Sequence, residues 1–256
     1  MDFVTIMLSL LIGGLTGFFS GFLGVGGGFI LVPLLIFINV PAHYAIGGSL
    51  AYIVFVGIFG AIQHHHRHKD CDFKIVLPMI LGGIVTAQFG SIATLFFKAE
   101  DLGIMLAVIL MCASIIMVVS KNRTELDGEG VVGSVGYSRN IPMAVFIGLV
   151  VGLISGFFGV GGGFILIPMM TTLLKMPIRT AVGTSLLAVA GFAVSGTIGH
   201  LMLDHIDPYF VGLLVIGGII ASPLGVMATE KVSSKHLREI FAVVLILFAI
   251  KLLIPS

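Results

Sequence analysis

Apolar runs long enough to cross a membrane follow one another almost without interruption, and this feature constrains the chain most. A helix needs about 20 mainly apolar residues to cross the hydrocarbon core of a bilayer. Of the 256 residues, 58% are apolar and only 10% are charged, against roughly 25% charged in a soluble globular domain. This small number of charges cannot cover a water-soluble surface. The sequence therefore predicts a multi-pass protein surrounded by lipid. The net charge of +1 gives no reason to expect a nucleic-acid partner.

Short charged stretches mark where each apolar run ends, and between these stretches the chain has no Asp, Glu, Lys or Arg. Between these stretches we predict an all-α polytopic membrane protein with about ten membrane helices and half-helices. The predicted helices lie at residues 3–22, 28–38, 43–63, 74–97, 102–120, 141–158, 163–174, 180–203, 208–229 and 237–254.

The sequence also repeats itself. Residues 20–33 and 155–168 differ at only two positions, where Leu23 and Val32 are replaced by Phe158 and Ile167. Further matches follow in the same order along the chain: Pro41 with Pro177, Gly47 and Ser49 with Gly183 and Ser185, His64 with His200, and the pair Gly82 and Gly83 with Gly217 and Gly218. A shared apolar composition would not keep this order, so we predict two homologous membrane repeats, 1–120 and 140–256, joined by a cytoplasmic linker at 121–139.

The orientation of the repeats is predicted from loop charges. Each repeat has an odd number of segments, which inserts the second repeat upside down relative to the first. Cytoplasmic loops are enriched in Lys and Arg. The loop at residues 67–74 carries three cations, whereas its counterpart at residues 204–207 carries two carboxylates and no Lys or Arg. This reversal favours inverted-topology repeats over parallel ones, with the linker inside and both chain termini outside.

A dense glycine run lies at the same place in each repeat, at residues 24–28 and 159–163. Glycine destabilises a helix, and the apolar segment after each run is only about half as long as a membrane span. We therefore predict Gly-rich breaks near the midplane of the membrane. Paired interruptions at corresponding positions of two repeats are typical of a transporter's binding site. Each break presents a helix N-terminus, whose free N–H groups and positive dipole end suit an anion.

The composition of the spans favours the same kind of ligand. Cation transporters and proton relays usually carry Asp or Glu within the membrane, and between the charged stretches these spans have none. An alternative is that the glycines only allow close helix packing and the hydroxyls bond their own helices. The candidate substrate-binding residues are Gly24, Gly26, Gly27, Gly28, Phe29, Ser49, Gly159, Gly161, Gly162, Gly163, Phe164, Thr184 and Ser185, with Ser20 and Ser155 as further hydroxyls.

His64 and His200 occupy matched positions at the end of the third segment of each repeat. They are candidates for gating or proton transfer, because imidazole titrates near neutral pH, or they cap the last helical turn. The run of residues 64–68, His-His-His-Arg-His, is better explained as a positively charged loop than as a metal site. No metal or cofactor is expected, since no cofactor motif is present in a suitable context.

The two glycine runs with the residues that follow them, 24–33 and 159–168, together with residues 181–186, resemble the TauE/SafE sulfite exporter family. The resemblance covers essentially the whole chain. It implies a membrane permease that moves sulfite or a small organosulfur anion, mostly outward. The first repeat has Gly48 where the second has Thr184, so one hydroxyl is missing from an otherwise symmetric site and the substrate can differ from sulfite.

The first hypothesis is therefore a secondary transporter in a cell membrane, most simply a prokaryotic inner membrane, that exports such an anion by alternating access. A passive small-anion channel that uses the same helix dipoles is the alternative. An intramembrane enzyme would need a nucleophile and base or a metal, and the spans offer only histidines, so no enzymatic activity is expected.

Overall fold

The computed structural model describes residues 3–68, 71–119, 139–232 and 234–253. These residues form ten α-helices and one 3₁₀ turn. None of them lies in a strand, which confirms the prediction of an all-α fold for the described part of the chain. The predicted linker at 121–139 lies, apart from Arg139, outside the described residues. In chain order the helices are α1 (Phe3–Leu23), α2 (Gly28–Phe37), α3 (Ala42–His68), α4 (Phe73–Ala93), α5 (Ala99–Val119), α6 (Ile141–Phe158), α7 (Gly163–Leu173), α8 (Ile178–Met202), α9 (Pro208–Lys231) and α10 (Ser234–Leu253), with the 3₁₀ turn at Thr94–Phe96.

The helix bounds follow the predicted ones within a few residues, except at the end of α3. This helix continues to His68, so the histidine run is helical and not a loop. Membrane thickness limits only the apolar part of a helix, and the polar residues that follow can extend it into water. The helices α4, α6 and α9 each begin after a capping residue, which is Asp72, Asn140 and Asp207 respectively. The side chain of each capping residue accepts a hydrogen bond from a backbone N–H in the first turn of the helix.

Six helices in the described part of the chain are long and apolar enough to cross a membrane: α1, α3 and α4 from the first half, and α6, α8 and α9 from the second. In α3 and α8, 72% of the most apolar stretch is buried, against 33% to 50% in the other four. The pair α3 and α8 is therefore the centre of the fold. Around it, large apolar side chains such as Leu11, Leu81 and Ile220 are exposed, as expected of a surface in contact with lipid.

The two central helices are matched in sequence and lie antiparallel. Near the start of α3, Gly47 contacts His200, near the end of α8. Towards the end of α3, Gly60 contacts Leu186, near the start of α8. The loop that follows α3 and the loop that follows α8 therefore lie at opposite ends of the helical body.

Each half also packs against the other through a row of glycines at four-residue spacing, here called a glycine seam. In α1, Gly13, Gly17 and Gly21 contact α9, and in α6 the matched Gly148, Gly152 and Gly156 contact α4. The contact is between backbones, since a Cβ on Gly17 would lie 2.5 Å from the Cα of Gly218. For these glycines close helix packing is the whole explanation.

Candidate functional site

The chain leaves helical geometry at two matched places, the first break at residues 24–27 and the second break at residues 159–162. Both breaks were predicted from the glycine runs. In each, three glycines adopt positive φ, which costs other residues about 1–2 kcal/mol. The angles are 73°, 80° and 81° at Gly24, Gly26 and Gly27, and 67°, 74° and 72° at Gly159, Gly161 and Gly162.

The two breaks meet at the centre of the molecule. A Cβ on Gly28 would lie 2.9 Å from the carbonyl oxygen of Gly159, and a Cβ on Gly163 would lie 2.8 Å from that of Val25. Residues 20–33 and 158–164 are buried, including the predicted Phe29 and Phe164. The N-termini of α2 and α7 thus lie together in the protein interior. The first N–H groups of a helix have no acceptor within the helix itself.

An apolar pair, Ile53 from α3 and Val189 from α8, lies between the breaks. A Cβ on Gly26 would lie 2.9 Å from Val189 Cγ1, and a Cβ on Gly161 would lie 3.0 Å from Ile53 Cδ1. Neither residue stands out in the sequence, because both look like ordinary core positions. Their only signal is that they stand 136 residues apart, the same offset as Ser49 and Ser185.

Three serine hydroxyls at the breaks have no hydrogen-bond partner among the described residues: Ser20, Ser49 and Ser155. All three side chains are fully buried. Ser49 Oγ would lie 2.9 Å from a Cβ on Gly28, at the start of α2. A buried hydroxyl without a partner costs about 1–3 kcal/mol, so three of them at one place indicate a site built for a polar ligand.

The other two predicted hydroxyls bond to the protein itself. Ser185 Oγ donates to the carbonyl oxygen of Gly24 and, at 2.8 Å, to that of Val182. Thr184 Oγ1 accepts the backbone N–H of Asp72 at 3.0 Å. Ser185 therefore holds the first break against the second half, although it matches Ser49, whose hydroxyl has no such bond.

The end of the body at the start of α8, here called the Thr184 end, is closed by polar contacts. Arg139 Nε donates to Asp72 Oδ2 at 2.9 Å, beside the hydrogen bond between Asp72 and Thr184. Cys71 Sγ donates to the carbonyl oxygen of Gly183 at 3.2 Å. These contacts join the loop between α3 and α4 to the start of α8.

The opposite end, at the start of α3, is here called the Gly48 end. A largely apolar cavity of about 350 Å³ opens there, lined by Gly48 and by Asp207 at the start of α9. Gly48 directly precedes Ser49 in the chain, so the cavity lining comes within one residue of one unpartnered hydroxyl. A Cβ on Gly48 would meet only Val211, at 3.5 Å.

The matched histidines lie near the breaks but in different surroundings. His64 Nε2 lies 2.9 Å from the carbonyl oxygen of Gly21. His200 is fully buried beside the backbone of Gly156, and its Nδ1 lies 3.2 Å from Nδ1 of His205. The pKa of His205, which lies in the loop before α9, is lowered first by burial and then by the nearby His43.

In the part of the chain that the structure describes, six apolar spans and two buried helix breaks are typical of a multi-pass membrane protein of the transporter class. Comparison with known proteins supports this class and gives the family. The chain belongs to the sulfite exporter TauE/SafE family, which it matches over residues 9–252.

Curated relatives align with nearly the full chain. The probable membrane transporter protein YunE of Bacillus subtilis is 26% identical over 99% of this chain and 98% of its own length. A probable membrane transporter protein of Haemophilus influenzae is 30% identical over 98% of both chains, and YdhB of Bacillus subtilis is 30% identical over 88% and 90%. No solved structure matches the chain.

Proposed function

We propose that this protein is a secondary transporter that exports sulfite or a related small organosulfur anion by alternating access. The observation that carries the proposal is the meeting of two buried helix N-termini with three fully buried, unpartnered serine hydroxyls. Each N-terminus contributes about half a positive charge, and hydroxyls donate to oxyanions. The sulfur anion is carried over from the family to which the chain belongs.

The binding site consists of the two breaks and the hydroxyls beside them. The amides at the starts of α2 and α7, after Gly27 and Gly162, face the anion, and Ser20, Ser49 and Ser155 donate to it. Ser185 and Thr184 act as positioning residues, because their hydroxyls are bonded to the Gly24 carbonyl and the Asp72 N–H. A field from dipoles alone suits a monoanion or a small dianion better than a polyanion.

The two halves are inverted-topology repeats, with residues 1–120 and 140–256 related by an axis in the plane of the membrane. The antiparallel packing of the matched helices α3 and α8 supports this arrangement. Parallel repeats would place matched helices in the same direction. Opposite ends of the body then face opposite sides of the membrane, with residues 67–74 and the linker at 121–139 inside, and the loop at 204–207 and both termini outside.

Alternating access requires the central packing to open towards one end at a time. Ile53 and Val189 fill the space between the breaks, so an anion reaches the hydroxyls only when this pair moves apart. Because each residue belongs to a different half, a small rotation of α3 against α8 separates them.

The test is flux of radiolabelled sulfite in proteoliposomes that contain the purified protein. We expect flux that saturates with sulfite concentration and that a pH gradient drives uphill, because a carrier binds and releases its substrate in each cycle. Flux that rises linearly and never runs uphill would favour a passive channel. Binding is measured separately by thermal stabilisation with sulfite, sulfate, thiosulfate and sulfonates, since a ligand that binds the folded state raises its stability.

The topology is tested by thiol labelling in intact cells. In a background with Cys71→Ser and Cys112→Ser, single cysteines replace the exposed Tyr209, at the Gly48 end, and the exposed Arg67, at the Thr184 end. A membrane-impermeant reagent is expected to label Tyr209→Cys and to miss Arg67→Cys until the cells are opened. Labelling of both in intact cells would contradict the inverted arrangement.

A further inference from the structure

Polar contacts between helices do not follow the division of the chain into two halves. Tyr52 of α3 donates to the carbonyl oxygen of Gly13 in α1 at 2.9 Å, and Thr229 of α9 donates to that of Phe22 in α1 at 2.9 Å. Together these bonds join α1 and α3, from the first half, to α9, from the second half. We call these three helices the α1 body.

The matched helices form the corresponding group. Ser195 of α8 donates to the carbonyl oxygen of Ile84 in α4 at 2.7 Å. At the Thr184 end, the N–H of Asp72, which caps α4, donates to Thr184 of α8 at 3.0 Å, and Arg139, just before α6, pairs with the Asp72 carboxylate. We call α4, α6 and α8 the α6 body, in which α4 is the helix from the other half.

Glycine packing follows the same grouping. The two glycine seams join α1 to α9 and α4 to α6, so each seam lies within one body. The matched glycine pairs add a contact with the central helix of the same body. A Cβ on Gly218 of α9 would lie 2.7 Å from Tyr52 Cε2 of α3, and a Cβ on Gly83 of α4 would lie 2.9 Å from Phe192 Cζ of α8. Packing this close resists the sliding of one helix past another within a body.

Apolar contacts join the two bodies along α3 and α8. A Cβ on Gly57 would lie 3.2 Å from Ala190 Cβ, and a Cβ on Gly60 would lie 3.3 Å from Leu186 Cδ1. An apolar contact can shift without leaving a polar group unpaired. Breaking a hydrogen bond within a body leaves buried partners that cost about 1–3 kcal/mol each. Relative movement is therefore cheapest between the bodies.

Hydrogen bonds also cross this interface. Ser185 of α8 donates to the carbonyl oxygen of Gly24, which follows α1, and His200 of α8 meets His205, which precedes α9. The Ser185 hydroxyl also reaches the carbonyl oxygen of Val182 in its own helix at 2.8 Å. Since this donor keeps an acceptor when the bodies part, its bond to Gly24 does not lock them together.

The candidate anion site lies on the same interface. Ser20 of α1 and Ser49 of α3 belong to the α1 body, whereas Ser155 of α6 belongs to the α6 body. The first break, which follows α1, packs against Val182 of α8, and the second break, which follows α6, packs against Ile46 of α3. Each break thus contacts the central helix of the opposite body, so parting the bodies changes the surroundings of the site.

We propose that the parts that move against each other are the α1 body and the α6 body, and not the two sequence repeats. Each body contains two helices of one half and one helix of the other, so α4 and α9 are exchanged between the repeats. The bodies close at one end of α3 and α8 while they part at the other. That this movement carries an anion rests on the proposed function, whereas the division into two bodies does not.

Crosslinks distinguish the two arrangements, because they join helices that either move together or move apart. In the cysteine-free background, Gly14→Cys of α1 is combined with Ala221→Cys of α9, where the Cβ atoms would be 3.9 Å apart. Separately, Gly57→Cys of α3 is combined with Ala190→Cys of α8, where they would be 3.2 Å apart. Both distances are close to the value of about 3.8 Å in disulfides. The first pair joins the two repeats within one body, and the second pair joins the two bodies.

The readout is the labelling of Ser49→Cys by N-ethylmaleimide, since this fully buried position becomes accessible only when the bodies part. Each disulfide is formed in the purified protein before labelling, and the same protein left reduced is the control. Labelling is measured on the peptide that contains residue 49. Sulfite is left out, because it attacks one sulfur of a disulfide, forms an S-sulfonate there and releases the other sulfur as a thiolate.

We expect the disulfide between positions 14 and 221 to leave the labelling rate as it is in the reduced protein. The disulfide between positions 57 and 190 should lower the rate by about tenfold or more, because the opening that exposes residue 49 is blocked.

Loss of labelling with the first disulfide would overturn the proposal, since the repeats would then be the moving parts. Labelling that the second disulfide leaves unchanged, or that is absent from the reduced protein, would overturn it as well. The expected pattern in a protein that moves no sulfite would support the two bodies and overturn sulfite as the substrate.

Discussion

The two ends of the molecule are built from matched residues, but polar contacts close one end and a cavity opens at the other. At each end an aspartate, Asp72 or Asp207, caps the helix that begins there, with nearly the same backbone angles. At the Thr184 end the hydroxyl of Thr184 accepts the Asp72 N–H, and Arg139 pairs with the carboxylate. At the Gly48 end the matched residue has no side chain, and a cavity takes its place.

The difference shows that a duplicated scaffold can keep its symmetry while a few side chains distinguish its two ends. A transporter that opens alternately to two sides is governed by the free-energy difference between two conformations, and a few kcal/mol decide which one dominates. Contacts at one end alone shift that balance. We therefore expect Thr184, Gly48 and their neighbours to set the resting conformation of the proposed transporter.

The largest effect is expected from the feature that the two halves share, the breaks. Gly27→Leu and Gly162→Leu should each abolish sulfite flux, because both positions have positive φ and a side chain there would meet the preceding helix, at Thr16 and at Val151 respectively. Gly212→Leu is the control, since a Cβ there would have no other atom within 4 Å. Flux in proteoliposomes is compared at equal protein content. Loss of flux in only one of the two break variants would show that the halves do not contribute equally.

The matched serines should separate binding from stability. Ser49→Ala removes a hydroxyl without a protein partner, so we expect anion affinity to fall by about fivefold to about 150-fold, for about 1–3 kcal/mol. The stability of the anion-free protein should rise, because an unpartnered buried hydroxyl is removed. Ser185→Ala removes the donor to the Gly24 carbonyl, so stability should fall by about 1 kcal/mol. Calorimetric titration and thermal unfolding measure the two quantities. Equal losses of affinity in both variants would make Ser185 a direct ligand.

Gly48→Thr should make the two ends alike. The side chain has room, and its hydroxyl can accept the Asp207 N–H as Thr184 accepts that of Asp72. We expect about 1 kcal/mol of added stability, a rise in melting temperature of about 2–4 °C, together with slower flux because the cavity is filled. The reciprocal Thr184→Gly should lower the melting temperature. A stabilised variant with undiminished flux would remove the cavity from the transport path.

The smallest effect is expected at the ion pair. Arg139 is more than half exposed, so its pairing with Asp72 contributes less than about 1 kcal/mol and weakens in salt. Thermal unfolding of Asp72→Asn should therefore show a slightly lower melting temperature at low salt and a smaller dependence on salt than the parent. Asp207→Asn, at the opposite end, should leave the salt dependence as it is. A dependence that persists in Asp72→Asn would place its origin elsewhere.

The sequence predicted the helices and the breaks well because both depend on local physics. Apolar runs bounded by charges define the spans, and glycines at 24–28 and 159–163 interrupt them whatever surrounds them. The predicted end of α3 was several residues too early, because hydropathy reports the membrane-embedded part of a helix and not its polar extension to His68.

The details of the site depend on contacts between distant parts of the chain. Ser185 bonds to Gly24, 161 residues away, and no local pattern distinguishes it from Ser49. Ile53 and Val189 contact both breaks, but isoleucine and valine occur throughout any buried span and give no signal of a site. Duplication identifies which residues correspond, but only the folded chain shows that Ser49 keeps an unpartnered hydroxyl whereas Ser185 does not.

The glycine seam between α1 and α9 also bears on how the protein is made. Its partners stand about two hundred residues apart, so α1 is synthesised long before α9, the helix that covers its glycines. Until then the seam faces lipid with no side chains to fill it. The polypeptide is therefore vulnerable to faulty association during most of its synthesis, and bulkier residues at Gly13 or Gly17 would act on assembly before they act on transport.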